Sequence, residues 1–257
     1  MGRWLLGGVC FGLLSMCGPA AAELSASVGV EYFTWKESTT PSVEETGPLL
    51  ALGLAYTQEK DRGLLFAYRG RAYFGDVDYK GAGLFTGAPI SGTTTYTGIA
   101  NEGQLRWRAH MPETPDYHVD YLLALGWDTW ERKLGSVQKE NYYVAYLRLG
   151  GEVAPGKGKG WTFGGGVKYP VYTREDAHLT DIGFDSNPTL KPGRDVNLYG
   201  SFGYRFEEKF SVIAYYDGFE FKRSHSEPVT SPATGPVSIF QPASSMSVIG
   251  LKLEYRL

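Results

Sequence analysis

The chain has 257 residues, of which 42% are hydrophobic and 14% aromatic, and a formal net charge of −3 at pH 7. This weakly acidic balance gives no basic surface of the kind that binds nucleic acid, so no nucleic-acid partner is expected. Both cysteines, Cys10 and Cys17, lie near the N-terminus. The rest of the chain therefore has no disulfide and no cysteine-based metal site.

The N-terminus has the features of an export signal. Arg3 precedes an apolar stretch over residues 4–16, and Ala20 and Ala22 supply the small side chains of a cleavage site. The apolar stretch is shorter than the ~20 residues that a transmembrane helix needs. We place cleavage after Ala22, so residues 1–22 form a signal peptide and residues 23–257 form one β-barrel domain.

Ten segments of the mature chain alternate apolar and polar side chains, which is the period-two pattern of β-strands. In the fourth segment, Leu105 and Trp107 alternate with Arg106 and Arg108, and the tenth keeps this alternation up to Leu257. The predicted strands span residues 24–36, 49–58, 64–75, 99–110, 117–130, 142–153, 161–172, 195–206, 209–221 and 247–257.

The connections alternate between short turns and long loops, and the long ones span residues 36–48, 76–98, 131–140, 173–194 and 222–242. An even strand number with short turns at one end and long loops at the other is typical of outer-membrane barrels. We therefore predict an all-β fold, an up-and-down antiparallel transmembrane β-barrel of ten strands. It would be integral to the Gram-negative outer membrane, with both termini periplasmic. A secreted lipocalin-like barrel, whose apolar face points inward, is the alternative.

If the apolar faces meet lipid, the charged faces line a narrow interior. A ten-stranded barrel is narrow enough for side chains to fill most of its interior, because open aqueous channels appear at about 16–18 strands. Buried charges must pair, so we predict a structural ion-pair network in the lumen, with a narrow, porin-like ion or solute channel as the alternative. The predicted lumen charges are Arg69, Arg71, Glu102, Arg106, Arg108, Asp120, Asp128, Arg148, Glu152, Lys168, Arg205, Asp217, Lys252, Glu254 and Arg256.

Two short motifs resemble those of a known family. The second long loop opens with Asp76 and Asp78 after Gly75, and the fourth opens with Asp176 and His178. These pairs resemble the Asp-x-Asp and Asp-x-His pairs of the omptins, which are ten-stranded outer-membrane proteases. Residues 100–105 and the turn at 112–117 also look like omptin segments. The resemblance covers the whole mature chain in topology and about its middle third in sequence.

The resemblance implies an endopeptidase that cuts beside basic residues with an activated water and that lipopolysaccharide supports. Asp176 would orient His178 as general base, and Asp76 and Asp78 would hold the water from the opposite wall. The same carboxylates suit loop caps or a calcium ion. We predict no resident metal and no cofactor.

Strand alternation conflicts with a catalytic role for these four residues. Lumen-facing positions of the third strand are odd-numbered, so the Asp-x-Asp pair falls on the outward face. Those of the seventh strand are even-numbered, so Asp176 and His178 are expected to point inward. The two pairs meet only if a bulge intervenes, for which Gly75 and Pro170 give an opportunity.

The long loops provide a second candidate surface. Residues 80–95 and 228–240 are rich in Thr, Ser, Gly and Pro and carry Leu84, Phe85, Ile239 and Phe240. This composition suits contact with a peptide, a surface ligand or lipopolysaccharide, in addition to outer-membrane lipid. We predict a structural or surface-interaction protein, with an omptin-like endopeptidase as the first alternative and a narrow channel as the second.

Overall fold

The computed structural model describes residues 22–83, 87–111, 116–135, 138–156, 158–207 and 209–257, except for the His110 side chain. Residues 1–21 of the predicted signal peptide, and Leu84 and Phe85, lie outside this described part. Ten long strands account for most of the described chain. They are β1 (Ala22–Glu37), β2 (Val43–Gln58), β3 (Gly63–Ala82), β4 (Pro89–His110), β5 (Tyr117–Leu134), β6 (Gln138–Pro155), β7 (Gly160–Ala177), β8 (Asn197–Arg205), β9 (Phe210–Lys222) and β10 (Ser244–Arg256).

The ten strands close into a barrel. Each strand pairs antiparallel with the next along the chain, and β10 pairs with β1, so that Leu251 lies opposite Val30. The predicted all-β class, the up-and-down antiparallel order, the strand number and the omptin-like topology are therefore confirmed. No helix in the described residues is long and apolar enough to cross a membrane.

An apolar belt surrounds the barrel. Outward side chains at mid-height are large and exposed, as in Leu198 (66% exposed) and Ile249 (64%), whereas inward ones at the same height include Arg106 (3%) and Lys168 (1%). A lipocalin-like barrel would place its apolar face inward, so that alternative is wrong. An exposed apolar belt around a closed barrel is the arrangement that hydrocarbon solvation requires.

Several predicted loops are in fact strand. β3 continues to Ala82 and β4 starts at Pro89, so most of residues 76–98 forms a tall hairpin, and β5 and β6 fill most of 131–140. The eight residues from Gly75 to Ala82 extend β3 by about 26 Å beyond the belt. The Thr, Gly and Asp residues of these segments are typical of loops. Their backbones are nevertheless paired across the sheet, for example Asp78 with Thr93.

Two of the connections carry structure of their own. A 3₁₀-helix (Leu179–Ile182) follows β7, and two-residue strands (Thr189–Leu190 and Gly193–Arg194) precede β8. A hairpin of Glu227–Ser231 and Gly235–Ile239, named here the loop hairpin, lies between β9 and β10. Its Val229 packs with Leu179 and Phe184, so these two connections contact each other at the loop end of the barrel.

Candidate functional site

The Asp-x-Asp pair lies on the outer face of β3. The β3–β4 register runs without a shift from Gly63 to Ala82, so no bulge at Gly75 turns the pair inward. Asp76 accepts a hydrogen bond from Thr95 Oγ1 at 2.6 Å, and Asp78 is exposed. The inward positions between and beyond them carry Val77 and Tyr79, both buried.

The Asp-x-His pair also lies on the outer face. A bulge at Val171 shifts the β6–β7 register, because Tyr146 pairs with Pro170 and Ala145 with Tyr172. The shift exchanges the two faces of β7, which turns Glu175 inward and Asp176 outward. The expectation that Asp176 and His178 point into the barrel is therefore wrong.

The outward pair binds its neighbours in the sheet. Asp176 accepts hydrogen bonds from Arg174 Nε at 2.9 Å and Thr189 Oγ1 at 2.8 Å. His178 Nε2 lies 2.8 Å from Asn141 Nδ2. The bulge thus forms where Pro170 gives an opportunity for one, but it separates the two predicted pairs instead of bringing them together. Within the described residues, no group of three or more His, Cys, Asp or Glu is arranged to hold a metal ion.

The charges inside the belt form a paired network. Arg106 Nη1 lies 3.3 Å from both Asp120 and Glu152, and Arg108 Nε lies 2.8 Å from Asp120. Arg69 Nη2 lies 3.0 Å from Glu152. Burial of such groups is costly unless each charge has a partner. The alternation of signs across neighbouring strands provides these partners.

The same pairing continues deeper in the lumen. Asp217 contacts Arg148, and its Oδ1 lies 2.5 Å from Lys168 Nζ. Arg148 Nη1 also lies 3.3 Å from Glu102. Arg71 Nη1 lies 2.5 Å from Glu31, a fully buried carboxylate that the sequence analysis did not select. Other pairs of the network are Arg71 with Asp128 (3.9 Å), Lys252 with Glu254 (2.8 Å) and Arg256 with Glu23 (2.7 Å).

An aromatic layer fills the lumen toward the loop end. Trp130 stacks on Tyr142 with ring centroids 4.9 Å apart and on Phe219 at 6.1 Å, and Trp35 meets Tyr142 edge-on at 5.4 Å. These four side chains, which we name the plug, are at most 2% exposed. Large rings on inward positions at this height close the barrel interior by packing.

A single arginine holds the carboxylates above the plug. Arg132 contacts Glu45 at 2.5 Å, Glu140 at 2.7 Å and Glu37 at 3.2 Å. Burial raises the pKa of the nearby Glu175 carboxyl well above its ordinary value, and the negative charge of Glu140 adds to this effect. The pKa of Glu140 is itself raised, mainly by burial. We call these five residues the carboxylate cluster.

Sequence reasoning missed this cluster because its members fell in predicted loops. One signal was present in the sequence. Asp128, Trp130 and Arg132 continue the inward alternation of β5 past the predicted strand end. Glu175 gave no such signal, because its inward direction depends on the bulge at Val171.

A cavity of about 290 Å³ occupies the lumen on the turn side of the plug. Its upper end is lined by Asp128 and Tyr146, and its lower end by Glu23, Pro155 and Arg256 beside the short turns. The lumen therefore has two different halves. The loop half is packed with aromatic rings, and the turn half contains space between charged side chains.

The chain was compared with known protein families, curated proteins and solved structures. No family model matches the chain, and no curated protein matches it in sequence. Among solved structures, the outer membrane protease OmpT from Escherichia coli is similar over 91% of this chain and 97% of its own, at 9% identity and a TM-score of 0.47. The outer membrane protein OprG from Pseudomonas aeruginosa is similar over 92% of this chain and 96% of its own, at 12% identity and a TM-score of 0.42. The transport unit of the autotransporter AIDA-I from Escherichia coli is similar over 94% of this chain and 92% of its own, at 11% identity and a TM-score of 0.43. Likeness at this level concerns the shape of the barrel alone.

Proposed function

We propose that the protein is an outer-membrane β-barrel that presents its loop end as a surface-interaction site and does not conduct. The observation that carries this proposal is the plug, whose side chains are fully packed between the turn-side cavity and the loops. Above the plug, β3 to β6 continue beyond the apolar belt. Tall, ordered extensions on a closed lumen favour a scaffold for surface contacts over a pore.

The orientation of the barrel follows from the same proposal. Ala22 and Leu257, the first and last described residues, lie at the turn end, which would face the periplasm, and the loop hairpin would face the outside. Both cysteines precede the mature chain, so a single introduced thiol reports its own side. We expect Ser238→Cys in the loop hairpin to react with a membrane-impermeant maleimide in intact cells. Asp61→Cys in the first turn, which is also exposed, should react only after the outer membrane is permeabilised. The reverse pattern would refute the orientation.

Conductance in a planar lipid bilayer tests the closed lumen. We expect no single-channel current from the refolded wild-type protein. A Trp35→Ala/Trp130→Ala variant removes two of the four plug side chains and should give measurable current. Steady current through the wild type would support the narrow channel instead, and would mean that the plug moves.

Lipopolysaccharide is the surface partner we propose first. Arg174 and Lys133 lie on the outer faces of β7 and β5 beyond the belt residues Tyr172 and Trp127, where lipid phosphates would lie. Guanidinium and ammonium groups bind phosphate well. We expect an Arg174→Gln/Lys133→Gln variant to retain less purified lipopolysaccharide than the wild type. Lys191→Gln, in the connection between β7 and β8, is the matched control and should behave like the wild type.

The omptin-like endopeptidase stays a prediction. Its four residues, Asp76, Asp78, Asp176 and His178, lie on outward faces of β3 and at the end of β7. Cleavage of a fluorogenic dibasic peptide by refolded protein with lipopolysaccharide tests it directly. Activity that His178→Ala abolishes would establish the protease and would require a rearrangement of both strand ends. Absence of cleavage by folded protein would leave the four residues as surface side chains.

A further inference from the structure

The turn-side cavity has two unlike walls. Strands β3 to β6 carry the long charged side chains, including Arg69, Arg106 and Arg148. The remaining arc, from β7 through β10 to β1, carries several small residues, such as Gly164 and Gly200, among its larger side chains. These small residues leave space in the cavity, and the groups beside them decide what that space can hold.

Five hydroxyl groups line this arc without a side-chain hydrogen-bond partner in the described part of the chain. They belong to Ser25, Ser27, Thr162, Ser201 and Ser211, which all border the cavity. A hydroxyl group both donates and accepts hydrogen bonds. Such groups, in contact with a cavity and without protein partners, can bind either water or the hydroxyls of a ligand.

One cation on the same arc lacks an acid. Arg205 on β8 is 6% exposed and borders the cavity, and its Nη1 donates to the carbonyl of Pro155 at 3.0 Å. Its Nε has no hydrogen-bond partner. Among the described lumen residues, every other cation of the network has a carboxylate partner. Glu23 forms an ion pair with Arg256, and Glu254 forms one with Lys252.

The histidine near Arg205 is uncharged at neutral pH. His118 borders the same end of the cavity, outside the belt. Burial lowers its pKa to about 4, and the positive charge of Arg108 adds to this effect. A neutral His118 neither repels an anion nor supplies a negative charge to Arg205. The carboxylates that act on Arg205 from nearby, Glu23, Glu254 and Glu152, are each paired with another cation. An anion from outside the chain can therefore take the place of a partner for Arg205.

We propose that this cavity binds a small hydroxylated anion, a polyol that carries one phosphate or carboxylate. Arg205 holds the anionic group, and the five hydroxyls hold the polyol part. Arginine matches phosphate and carboxylate in geometry. The cavity volume of about 290 Å³ lies at the lower limit of small-molecule sites, which suits a ligand of sugar-phosphate size. The ligand enters from the turn end, because the plug closes the other.

Calorimetric titration of the refolded full chain in detergent micelles tests the proposal, with glucose 6-phosphate as the probe. We expect saturable 1:1 binding by the wild type and at least tenfold weaker binding by Arg205→Gln. Gln removes the positive charge and keeps a polar amide group at this position. Glucose and inorganic phosphate, which each lack one half of the ligand, should each bind at least tenfold more weakly than the probe.

Two further variants keep the test decisive. Arg62→Gln removes the same charge from an exposed position in the first turn, outside the cavity, and should bind like the wild type. Ser201→Leu fills the cavity without changing any charge and should bind at least tenfold more weakly. A heat-modifiable gel shift shows that each variant is folded. Absence of saturable binding by folded wild type, or equal binding by Arg205→Gln and wild type, would overturn the proposal.

Discussion

The two halves of the lumen stabilise their buried charged groups in different ways. In the turn half, positive and negative side chains alternate across neighbouring strands, so that Arg106 and Arg108 share Asp120, and Arg106 and Arg69 share Glu152. In the loop half of the described chain, one cation, Arg132, contacts Glu37, Glu45 and Glu140 within a frame of aromatic rings, and the buried Glu175 lies nearby. The turn half pairs its carboxylates with cations. The described part of the loop half has fewer cations than carboxylates in its cluster, so this pairing is incomplete there.

The difference shows what each half can do. A set of paired charges leaves space that water or a ligand can occupy, because every described cation of the network except Arg205 already has a carboxylate partner. A packed aromatic layer excludes water, so surplus carboxylates beside it must hold protons to remain buried. The turn half is therefore suited to binding, and the loop half to closure.

The largest effect should come from the one cation of the carboxylate cluster. Arg132→Met leaves three carboxylates without their partner in a buried site. Removal of one member of a buried ion pair costs about 3–5 kcal/mol. We expect that loss in the free energy of unfolding, measured with urea in lipid vesicles at neutral pH. Lys133→Met, one residue away on the outer face, is the control and should change it by less than about 0.5 kcal/mol.

A small effect of Arg132→Met would contradict this difference between the halves. It would mean that the carboxylates are already neutral and that the cluster needs no cation.

The second-largest loss in the free energy of unfolding should come from removal of one aromatic side chain of the plug. Trp130 contacts Tyr142 and Phe219 and is 2% exposed, so Trp130→Ala leaves a cavity in a packed layer. Such a change costs about 3 kcal/mol or more in the free energy of unfolding. Trp107→Ala is the matched control, because Trp107 faces outward from the belt and is 57% exposed. Equal costs for the two variants would show that the plug is loosely packed.

The pH dependence of stability separates the two halves further. The pKa of Glu175 is raised in the folded barrel, so this carboxyl keeps its proton after the unfolded chain has released it above pH 4.5. Unfolding then releases a proton, and stability falls as pH rises from about 4.5 toward the folded-state pKa. Glu175→Gln mimics the protonated form and should make this fall of stability with pH shallower.

Urea midpoints measured from pH 4 upward test this expectation. Glu227→Gln, in the loop hairpin, should leave the wild-type slope unchanged. A slope that persists in Glu175→Gln would assign the pH dependence to other groups.

The smallest effect should come from an exposed ion pair outside both halves. Lys36 Nζ lies 3.1 Å from Glu44, and their side chains are 58% and 43% exposed. Exposed pairs contribute about 0–1 kcal/mol, and salt screens them. We expect Lys36→Ala to change the free energy of unfolding by less than about 1 kcal/mol, and by less still at 0.5 M salt. A larger loss would show that the pair supports the rim of the carboxylate cluster through β1.

The belt and the strand number could be predicted from the sequence because they depend on a local pattern. Side chains of a strand alternate between faces whatever the tertiary context, so Val30 and Leu251 could be assigned outward before their pairing was known. The inward directions of Arg106 and Asp120 followed in the same way. The partners of these charges did not, because they depend on strand register across the sheet.

The extensions beyond the belt could not be predicted from local composition. Thr93 to Thr97 and Gly75 to Asp78 resemble loops, and their strand conformation arises from cross-strand pairing in the tall hairpin. Arg132 and Glu140 were placed in a loop for the same reason. The carboxylate cluster therefore consists of residues that come together only when five strands, β1, β2, β5, β6 and β7, continue past the apolar belt.

The sequence by itself determined the class of the fold, the faces of most strands and the presence of opposite charges in the lumen, since each follows from side-chain alternation along one strand. Only the tertiary structure decided how these groups combine. One extra residue at Val171 turned Glu175 into the lumen and Asp176 out of it, and register between strands left Arg205 without an acid. A bulge and a register are set by the energy of the whole sheet, which no single strand encodes.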